Sequence, residues 1–383
     1  MNKKITILLS IALLGSVGLN ALLVARYRYD WRPWQKADEM PPLPEFDLAN
    51  DALTPAPTLK LTFDGRSDEL EPVAAWQDAA RVKLAAGLGV DLPTAAPSAR
   101  TLGTETVGAV TREQIVFGMA DGVEVPAFLL KPTEGVIRGG LVVIPGHSWG
   151  IVATAGIFED YQHSMALRLA EAGFAVLTFE VRGLGYLQRL GPEGMDLGIE
   201  AMTGMDIHRG QASGGVTARD GSACVSYLLE RDDLDVGRVG VVGFSSGGKA
   251  AIYLAALDSR VATTVASGCV GSFEHNFRVS RHGANEAIPG LGHWLEMSDV
   301  LGLIAPRPLL VHWGANDTDR AMFAAAYNDS SMPTVDAARR IYAAAGAEGQ
   351  LQTSVTPNMG HEFDVEAARR FLTAEFKVDD ADD

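Results

Sequence analysis

One serine lies in a glycine-flanked turn between an apolar run and a helical segment. The run, residues 239–244, leads into residues 243–247, whose sequence G-F-S-S-G has the form G-x-S-x-G. A serine at such a tight strand-to-helix turn is strained, and its hydroxyl is exposed at the carboxyl edge of a sheet. The amino terminus of the following helix adds free backbone amides beside that oxygen. The pattern therefore predicts Ser245 as a nucleophile, with a plain glycine-rich turn as the alternative.

A serine hydroxyl needs a general base, and the base needs an orienting carboxylate. Where the serine occupies this kind of turn, the acid and then the histidine follow it along the chain. Asp317 follows the apolar run 309–313, with Asp319 as a second candidate, and His361 follows the last apolar run, 353–356. Asp317 and His361 are therefore predicted to complete a catalytic triad. The alternatives are a turn-capping aspartate and a surface histidine.

The oxyanion of a tetrahedral intermediate needs hydrogen-bond donors, and the sequence suggests two backbone amides. Ser246 directly follows the nucleophile, and His147 lies in the loop after the apolar run 141–144. Losing one such donor costs about 3 kcal/mol of transition-state stabilisation. We therefore predict an oxyanion hole from the amides of Ser246 and His147. The alternative for His147 is an imidazole that lines the pocket.

The elements that position these residues alternate along the chain. Predicted strands cover residues 141–144, 175–179, 239–244, 261–266, 309–313 and 353–356. Predicted helices between them cover residues 161–172, 218–230, 248–257 and 335–345. This alternation predicts a mostly parallel central sheet with helices on both faces. Ahead of it, runs 115–117 and 123–130 flank Asp121-Gly122 and predict an antiparallel leading hairpin, and residues 69–88 have a helical pattern.

Aromatic and histidine side chains cluster near the predicted site. Phe273, His293 and Trp294 lie in segment 267–296, which connects two strand ends that face the site, and Trp149 lies in the predicted oxyanion loop, residues 145–150. We predict that these four residues shape a substrate pocket. The alternative is a structural excursion that packs over the sheet.

Composition limits the classes of partner and cofactor. The 383-residue chain has a formal net charge of -16 and a pI of about 4.9, so it is a poor polyanion binder and nucleic acid is not expected. Cys224 and Cys269 show no metal-ligand spacing, so no metal or other cofactor is expected. Two buried free thiols are favoured over one disulfide.

The amino terminus has the pattern of an export signal. Lys3 and Lys4 precede an apolar run over residues 5–24, which just reaches the ~20 residues that a membrane-spanning helix needs. Residues 1–28 are predicted to be a signal anchor, with a cleaved signal peptide as the alternative. A linker (29–65), an enzymatic domain (66–375) and an acidic disordered tail (376–383) follow. We expect an exported, periplasmic or extracellular protein that this segment tethers to the membrane; its oligomeric state stays open.

Several blocks of the sequence resemble those of known proteins. They lie at residues 125–132 (VPAFLLKP), 160–163 (DYQH), 182–185 (RGLG), 243–247, 288–291 (IPGL), 305–310 (APRPLL) and 360–363 (GHEF). Over roughly residues 66–375 the chain resembles the α/β-hydrolases grouped with acetyl xylan esterases and dienelactone-hydrolase-like proteins. The resemblance implies an α/β-hydrolase fold and hydrolysis of a carboxylic ester through Ser245, Asp317 and His361.

The chain departs from these relatives at two points. Dienelactone hydrolases proper use a cysteine nucleophile, whereas this turn carries Ser245, so dienelactones are not the expected substrates. The predicted oxyanion loop has Pro145-Gly146-His147 where many relatives have His-Gly. We expect a small-molecule or carbohydrate ester, with a short acyl group such as acetyl, as substrate.

Two other functions are compatible with parts of the sequence. A serine peptidase of the prolyl-oligopeptidase type uses the same triad, but about 110 residues before the hairpin are too few for repeated propeller blades. A non-catalytic, membrane-tethered binding protein on a hydrolase scaffold would normally have lost a triad member, and none is missing here. A serine esterase is therefore favoured over both alternatives.

Overall fold

A nine-stranded sheet forms the centre of the computed structural model, which describes residues 59–63, 70–188, 198–278, 283–317 and 328–377. The strands in chain order are β1 Ser98–Val107, β2 Val110–Gly118, β3 Glu124–Pro132, β4 Gly140–Ile144, β5 Ala175–Phe179, β6 Val239–Phe244, β7 Val261–Ser267, β8 Leu309–Gly314 and β9 Leu351–Thr356. Their order in the sheet is β1-β2-β3-β5-β4-β6-β7-β8-β9. The described residues all belong to one compact unit of the chain.

The sheet is antiparallel at its leading edge and parallel elsewhere. Strands β1, β2, β3 and β5 pair antiparallel in that order, whereas β5, β4, β6, β7, β8 and β9 pair parallel. The predicted hairpin is β2–β3, in which Phe117 pairs with Val125 around a turn where Gly122 has a φ of 82°. The predicted fold class is thus confirmed, and β1 is an edge strand that the apolar pattern does not indicate.

Ten α-helices of the described residues surround the sheet. They are α1 Leu70–Leu88, α2 Ile151–Thr154, α3 Met165–Glu171, α4 Ile199–His208, α5 Ser213–Leu229, α6 Ser246–Leu257, α7 Phe273–Arg278, α8 Met297–Gly302, α9 Ser331–Ala344 and α10 Val365–Glu375. Short 3₁₀ turns cover Gly185–Gln188, Ala284–Glu286, Leu291–His293 and Glu348–Gln350. The helix predicted over residues 161–172 therefore begins only at Met165.

Two hydrophobic cores lie on opposite faces of the sheet because successive strand side chains point to opposite sides. On one face Val142 and Val241 pack with residues of α1, α5, α6 and α9, among them Tyr253. On the other face Val143 and Val242 pack with α3 and α10. The central strands are buried on both faces, which explains why their sequences are continuous apolar runs.

The two cysteines are free and buried, as predicted. Cys224 lies in α5, and Cys269 follows β7. Burial raises the pKa of the Cys269 thiol to about 12. Both side chains therefore stay protonated at neutral pH and act as small apolar groups.

The structure describes only part of the predicted amino-terminal segments. Residues 1–28, most of the linker 29–65 and the end of the tail, 378–383, lie outside the described residues. Residues 59–63 lie against the enzymatic domain, since the Leu61 amide donates to the Trp294 carbonyl at 3.0 Å and Phe63 donates to Asp299. Within the described ranges, no helix combines the length and apolarity needed to cross a membrane.

Candidate active site

Ser245 occupies the turn between β6 and α6 in a conformation that few non-glycine residues adopt. Its φ is 55° and its ψ is -124°, a strained combination typical of functional sites. A side chain at Gly243 would overlap the Gly247 carbonyl, and one at Gly247 would overlap the carbonyls of Ile144 and Pro145. The two glycines therefore allow the tight turn, for the steric reason that the sequence pattern suggests.

The predicted triad residues meet at the carboxyl edge of the sheet. His361 Nε2 lies 3.0 Å from Ser245 Oγ, and His361 Nδ1 lies 2.9 Å and 3.0 Å from the two carboxylate oxygens of Asp317. Exposed fractions are 8% for Ser245, 2% for Asp317 and 6% for His361. With the proton on Nδ1 donated to Asp317, Nε2 accepts the hydrogen bond from the serine hydroxyl.

The loops that carry the acid and the base are joined to each other. The Asn316 amide donates to the Met359 carbonyl at 2.8 Å, and a side chain at Gly314 would overlap that same carbonyl. The Phe244 ring centroid lies 4.7 Å from that of His361. These contacts fix the imidazole between nucleophile and carboxylate. The second candidate acid, Asp319, lies outside the described residues.

The two predicted oxyanion donors lie on backbone segments that meet at the nucleophile. Ser246 is the first residue of α6. On the loop after β4, a Cβ built on Gly146 would lie 3.0 Å from Ser245 Cβ and 2.8 Å from the Phe244 carbonyl oxygen. That loop therefore packs directly on the serine turn, and the His147 amide follows the contact.

A small cavity of about 30 Å³ adjoins Ser246, and His147 contributes to its wall. The His147 imidazole lies 3.2 Å from Asn285 Nδ2. Burial lowers the pKa of His147, and the opposing effect of the Glu286 charge does not reverse that shift. Lys249 lies one helical turn after Ser245 and forms an ion pair with Glu286 at the same cavity. The apolar pattern and the motifs of the sequence do not single out this ion pair, although the spacing of Lys249 from Ser245 on α6 could indicate it.

The four residues predicted to form the substrate pocket are dispersed. Trp149 is 54% exposed and packs beside Phe158. The Trp294 ring lies below Lys83, with 4.0 Å from the Lys83 ammonium to the ring centroid. His293 is exposed, and Phe273 is half-buried at the start of α7. None of the four lines the 30 Å³ cavity. The contacts of Trp294 favour the alternative, structural role of segment 267–296.

Glu180 is a fully buried carboxyl group beside the loop after β4, and sequence analysis did not single it out. It follows β5 and lies between Gly150 and Gly185, where any side chain would overlap its carboxyl group. The Tyr186 amide donates to Glu180 Oε2 at 3.1 Å. Burial raises its pKa to about 8, against the lowering effect of backbone hydrogen bonds. Glu180 is therefore mostly protonated at neutral pH.

Glu180→Gln is expected to remove a pH dependence of stability. Because folding raises the pKa of Glu180, the folded chain binds this proton more tightly, and the free energy of unfolding falls as pH rises from about 4.5 to about 8. At about 1.4 kcal/mol per pH unit, the loss reaches about 5 kcal/mol. Urea unfolding at pH 5 and pH 8 measures this loss in the free energy of unfolding. Equal losses in the wild type and in Glu180→Gln would show that Glu180 does not titrate in this range.

Known proteins match this chain in sequence or in fold. Residues 125–274 match the dienelactone hydrolase family. The putative hydrolase YtaP of Bacillus subtilis (strain 168) is 28% identical over 240 residues, which cover 58% of this chain and 76% of that protein. A putative acetyl xylan esterase from Bacteroides fragilis NCTC 9343 superposes with a TM-score of 0.63 at 14% identity, covering 82% of this chain and 85% of that one. A glucuronoyl esterase from Solibacter usitatus gives 0.60 at 15% identity, covering 85% and 100%.

The order of the strands, the serine turn and the arrangement of Ser245, His361 and Asp317 together define an α/β-hydrolase. The matches to known proteins support its assignment to the carboxylic ester hydrolases. Within that superfamily, the chain resembles the dienelactone hydrolase family over residues 125–274. The sequence blocks predict this same group, and the family match confirms it. No group of histidine, cysteine, aspartate or glutamate suited to a metal ion occurs in the part of the chain that the structure describes.

Proposed function

We propose that this protein is a serine carboxylic-ester hydrolase that acts through an acyl-enzyme on Ser245. The observation that carries the proposal is the Ser245–His361–Asp317 relay, with contacts of 3.0 Å and 2.9 Å, at a strained and nearly buried serine. The acid and the base follow β8 and β9, so two neighbouring parallel strands deliver them to one edge.

The reaction proceeds in two half-reactions. His361 Nε2 accepts the hydroxyl proton while Ser245 Oγ bonds to the ester carbonyl carbon, and the C=O electron pair moves to oxygen. The intermediate then collapses and expels the alcohol, which takes the proton from His361. Water repeats the sequence on the acyl-serine, releases the carboxylic acid and restores the Ser245 hydroxyl. Amides of Ser246 and His147 stabilise both oxyanions.

Short acyl groups, acetyl above all, are the proposed acyl class, carried by small-molecule or carbohydrate alcohols. The cavity beside Ser246 measures only about 30 Å³, room for about one or two water-sized groups. Structural neighbours described as acetyl xylan esterases are consistent with that choice. A peptidase is less well supported, because residues 70–88 before the hairpin form a helix rather than propeller strands.

An extracytoplasmic location, with a membrane tether at residues 1–28, completes the proposal. It rests on Lys3 and Lys4 and on the apolar run 5–24 that follows them. An enzyme placed there would meet esters outside the cytoplasm. Fractionation of cells that express the full chain, followed by alkaline extraction of the membranes, tests this location.

Labelling with a fluorophosphonate tests the chemistry. We expect the full-length protein to gain one phosphonyl group, and we expect the adduct on the peptide that contains Ser245. Across p-nitrophenyl acetate, butyrate and octanoate, kcat/KM should fall at least about tenfold from the shortest to the longest acyl chain, since the cavity that the described residues form beside Ser246 is too small for the additional methylenes. Ser226→Ala, which removes another buried serine hydroxyl, should label like the wild type. Absence of an adduct, or a preference for octanoate, would refute the corresponding half of the proposal.

A further inference from the structure

Residues 160–163 lie in the connection between α2 and α3 and contact both halves of the active site. We call these residues the brace segment. Its sequence is Asp160-Tyr161-Gln162-His163. One set of its contacts goes to the loop after β4, which carries the proposed oxyanion donor. A second set goes to the loop that carries His361.

Three consecutive residues of the oxyanion loop are held by the brace segment. The fully buried Gln162 accepts the Gly146 amide at Oε1, at 2.8 Å, and donates from Nε2 to Ser148 Oγ. The Tyr161 hydroxyl donates to the His147 carbonyl. The peptide groups on both sides of the His147 amide are thus fixed by side chains of the brace segment. Because each peptide group is planar, holding the two flanking groups leaves only paired rotation about Gly146 ψ and His147 φ to turn the N–H between them, and this restricts its direction.

The orientation of Gln162 is itself determined by its neighbours. Its backbone amide donates to Asp160 Oδ1 at 2.8 Å, and its side-chain Nε2 lies 3.3 Å from Asp160 Oδ2. A glutamine amide has one acceptor and two donors, and here the acceptor faces Gly146 while the NH₂ group faces Ser148 and Asp160. Rotation of the amide by half a turn would place two donors against each other at Gly146.

The other side of the brace segment holds the loop of the general base. The Phe363 amide donates to the Tyr161 carbonyl at 3.0 Å, and His163 Nε2 lies 2.9 Å from Glu362 Oε2. The Tyr161 ring centroid lies 6.1 Å from that of His361. Two residues directly after His361 are therefore tied to the same four-residue segment that holds the oxyanion loop.

Backbone strain accompanies these contacts. His163 and Ser164 have φ values of 50° and 51°, so two consecutive non-glycine residues lie in the left-handed region. Such conformations are strained and persist where surrounding contacts determine them. They delay the start of α3 and let the brace segment reach both loops.

We propose that Gln162 is a positioning residue for the His147 oxyanion donor, and that Tyr161 couples this donor to the loop of the general base. This inference rests on the proposed serine esterase function. In this role Gln162 touches no substrate and acts through the backbone of residues 146–148. An oxyanion donor works only if it is aligned before the charge develops. Misalignment should therefore affect the transition state more than the bound ester.

Gln162→Leu tests the proposal in the full-length protein with p-nitrophenyl acetate. We expect kcat to fall about 100-fold, as for loss of an oxyanion donor, with KM within about threefold of the wild type. Affinity for phenylboronic acid, which forms a tetrahedral adduct on a serine oxygen, should fall by a similar factor. Tyr161→Phe keeps the ring, removes the hydroxyl contact to His147, and should lower kcat about tenfold with the same unchanged KM.

Gln77→Leu is the matched control. Gln77 is a buried glutamine in α1 whose Nε2 donates to two carbonyls, those of Gly302 and Ala305. Its replacement should lower the free energy of unfolding as Gln162→Leu does, yet leave kcat unchanged. Equal losses of kcat in both variants, or a folded Gln162→Leu with wild-type kcat, would overturn the inference. If Gln162→Leu does not fold, an unchanged kcat in Tyr161→Phe overturns it. A wild type without esterase activity or fluorophosphonate labelling would overturn the proposed function as well.

Discussion

Ser245→Ala is expected to lower kcat for p-nitrophenyl acetate by about 10⁶-fold, the size of effect known for serine nucleophiles that act within a triad. Alanine keeps the Cβ atom and therefore the packing of the turn against Gly146. It removes the only atom that bonds to the acyl group in the proposed mechanism. A residual rate above that of water should remain, because the oxyanion amides and substrate binding are untouched.

Active-site titration and near-UV circular dichroism of the same preparations separate lost chemistry from lost structure. Ser226→Ala, at a buried serine whose hydroxyl donates to the Thr94 carbonyl, should keep wild-type kcat. The non-catalytic alternative predicts no difference between Ser245→Ala and the wild type. Activity above about one-hundredth of the wild-type value in Ser245→Ala would assign the attack to another group.

Asp317→Asn is expected to lower kcat by about 10⁴-fold. The two carboxylate oxygens accept the hydrogen bond from the protonated His361 Nδ1, at 3.0 Å and 2.9 Å. An amide NH₂ in that place would donate to Nδ1 and move the imidazole proton to Nε2. The Ser245 hydroxyl would then face a donor, and no base could take its proton.

Asp319→Asn discriminates between the two candidate acids that the sequence offers. It should leave kcat within about threefold of the wild type, because in the proposed mechanism only Asp317 holds the imidazole proton of His361 on Nδ1. Stopped-flow hydrolysis of p-nitrophenyl acetate gives kcat for both variants. A large loss in Asp319→Asn with little loss in Asp317→Asn would reverse the assignment.

The parallel part of the sheet could be predicted from the sequence because its strands are buried on both faces. Residues 175–179 and 239–244 are continuous apolar runs, and β5 and β6 have those same bounds. The candidates Ser245, Asp317 and His361 were located from the carboxyl ends of the predicted strands 239–244, 309–313 and 353–356 and from the chain order of acid and base. Strand β1 could not be predicted, because its residues are almost all exposed and carry no apolar alternation.

The residues around the triad were harder to predict, because their positions depend on contacts between segments that are distant in the sequence. Trp294 was expected in the pocket, but residues 59–63 and Lys83 cover it. The brace segment appeared in the sequence only as a block of family resemblance. The positive φ values of His163, its last residue, and of Ser164, the next residue, leave no apolar pattern, so the sequence predicted a helix that starts four residues too early.

Strand β1 also determines how the sheet meets neighbouring molecules. It is ten residues long and lies at the outer edge of the described sheet, where unpaired backbone groups could template pairing with another copy of the chain. Arg100 and Glu105 place charges along it, and a bulge interrupts its register between Thr101 and Gly103. Such features oppose edge-to-edge assembly. We therefore expect the polar strand to oppose intermolecular β-aggregation.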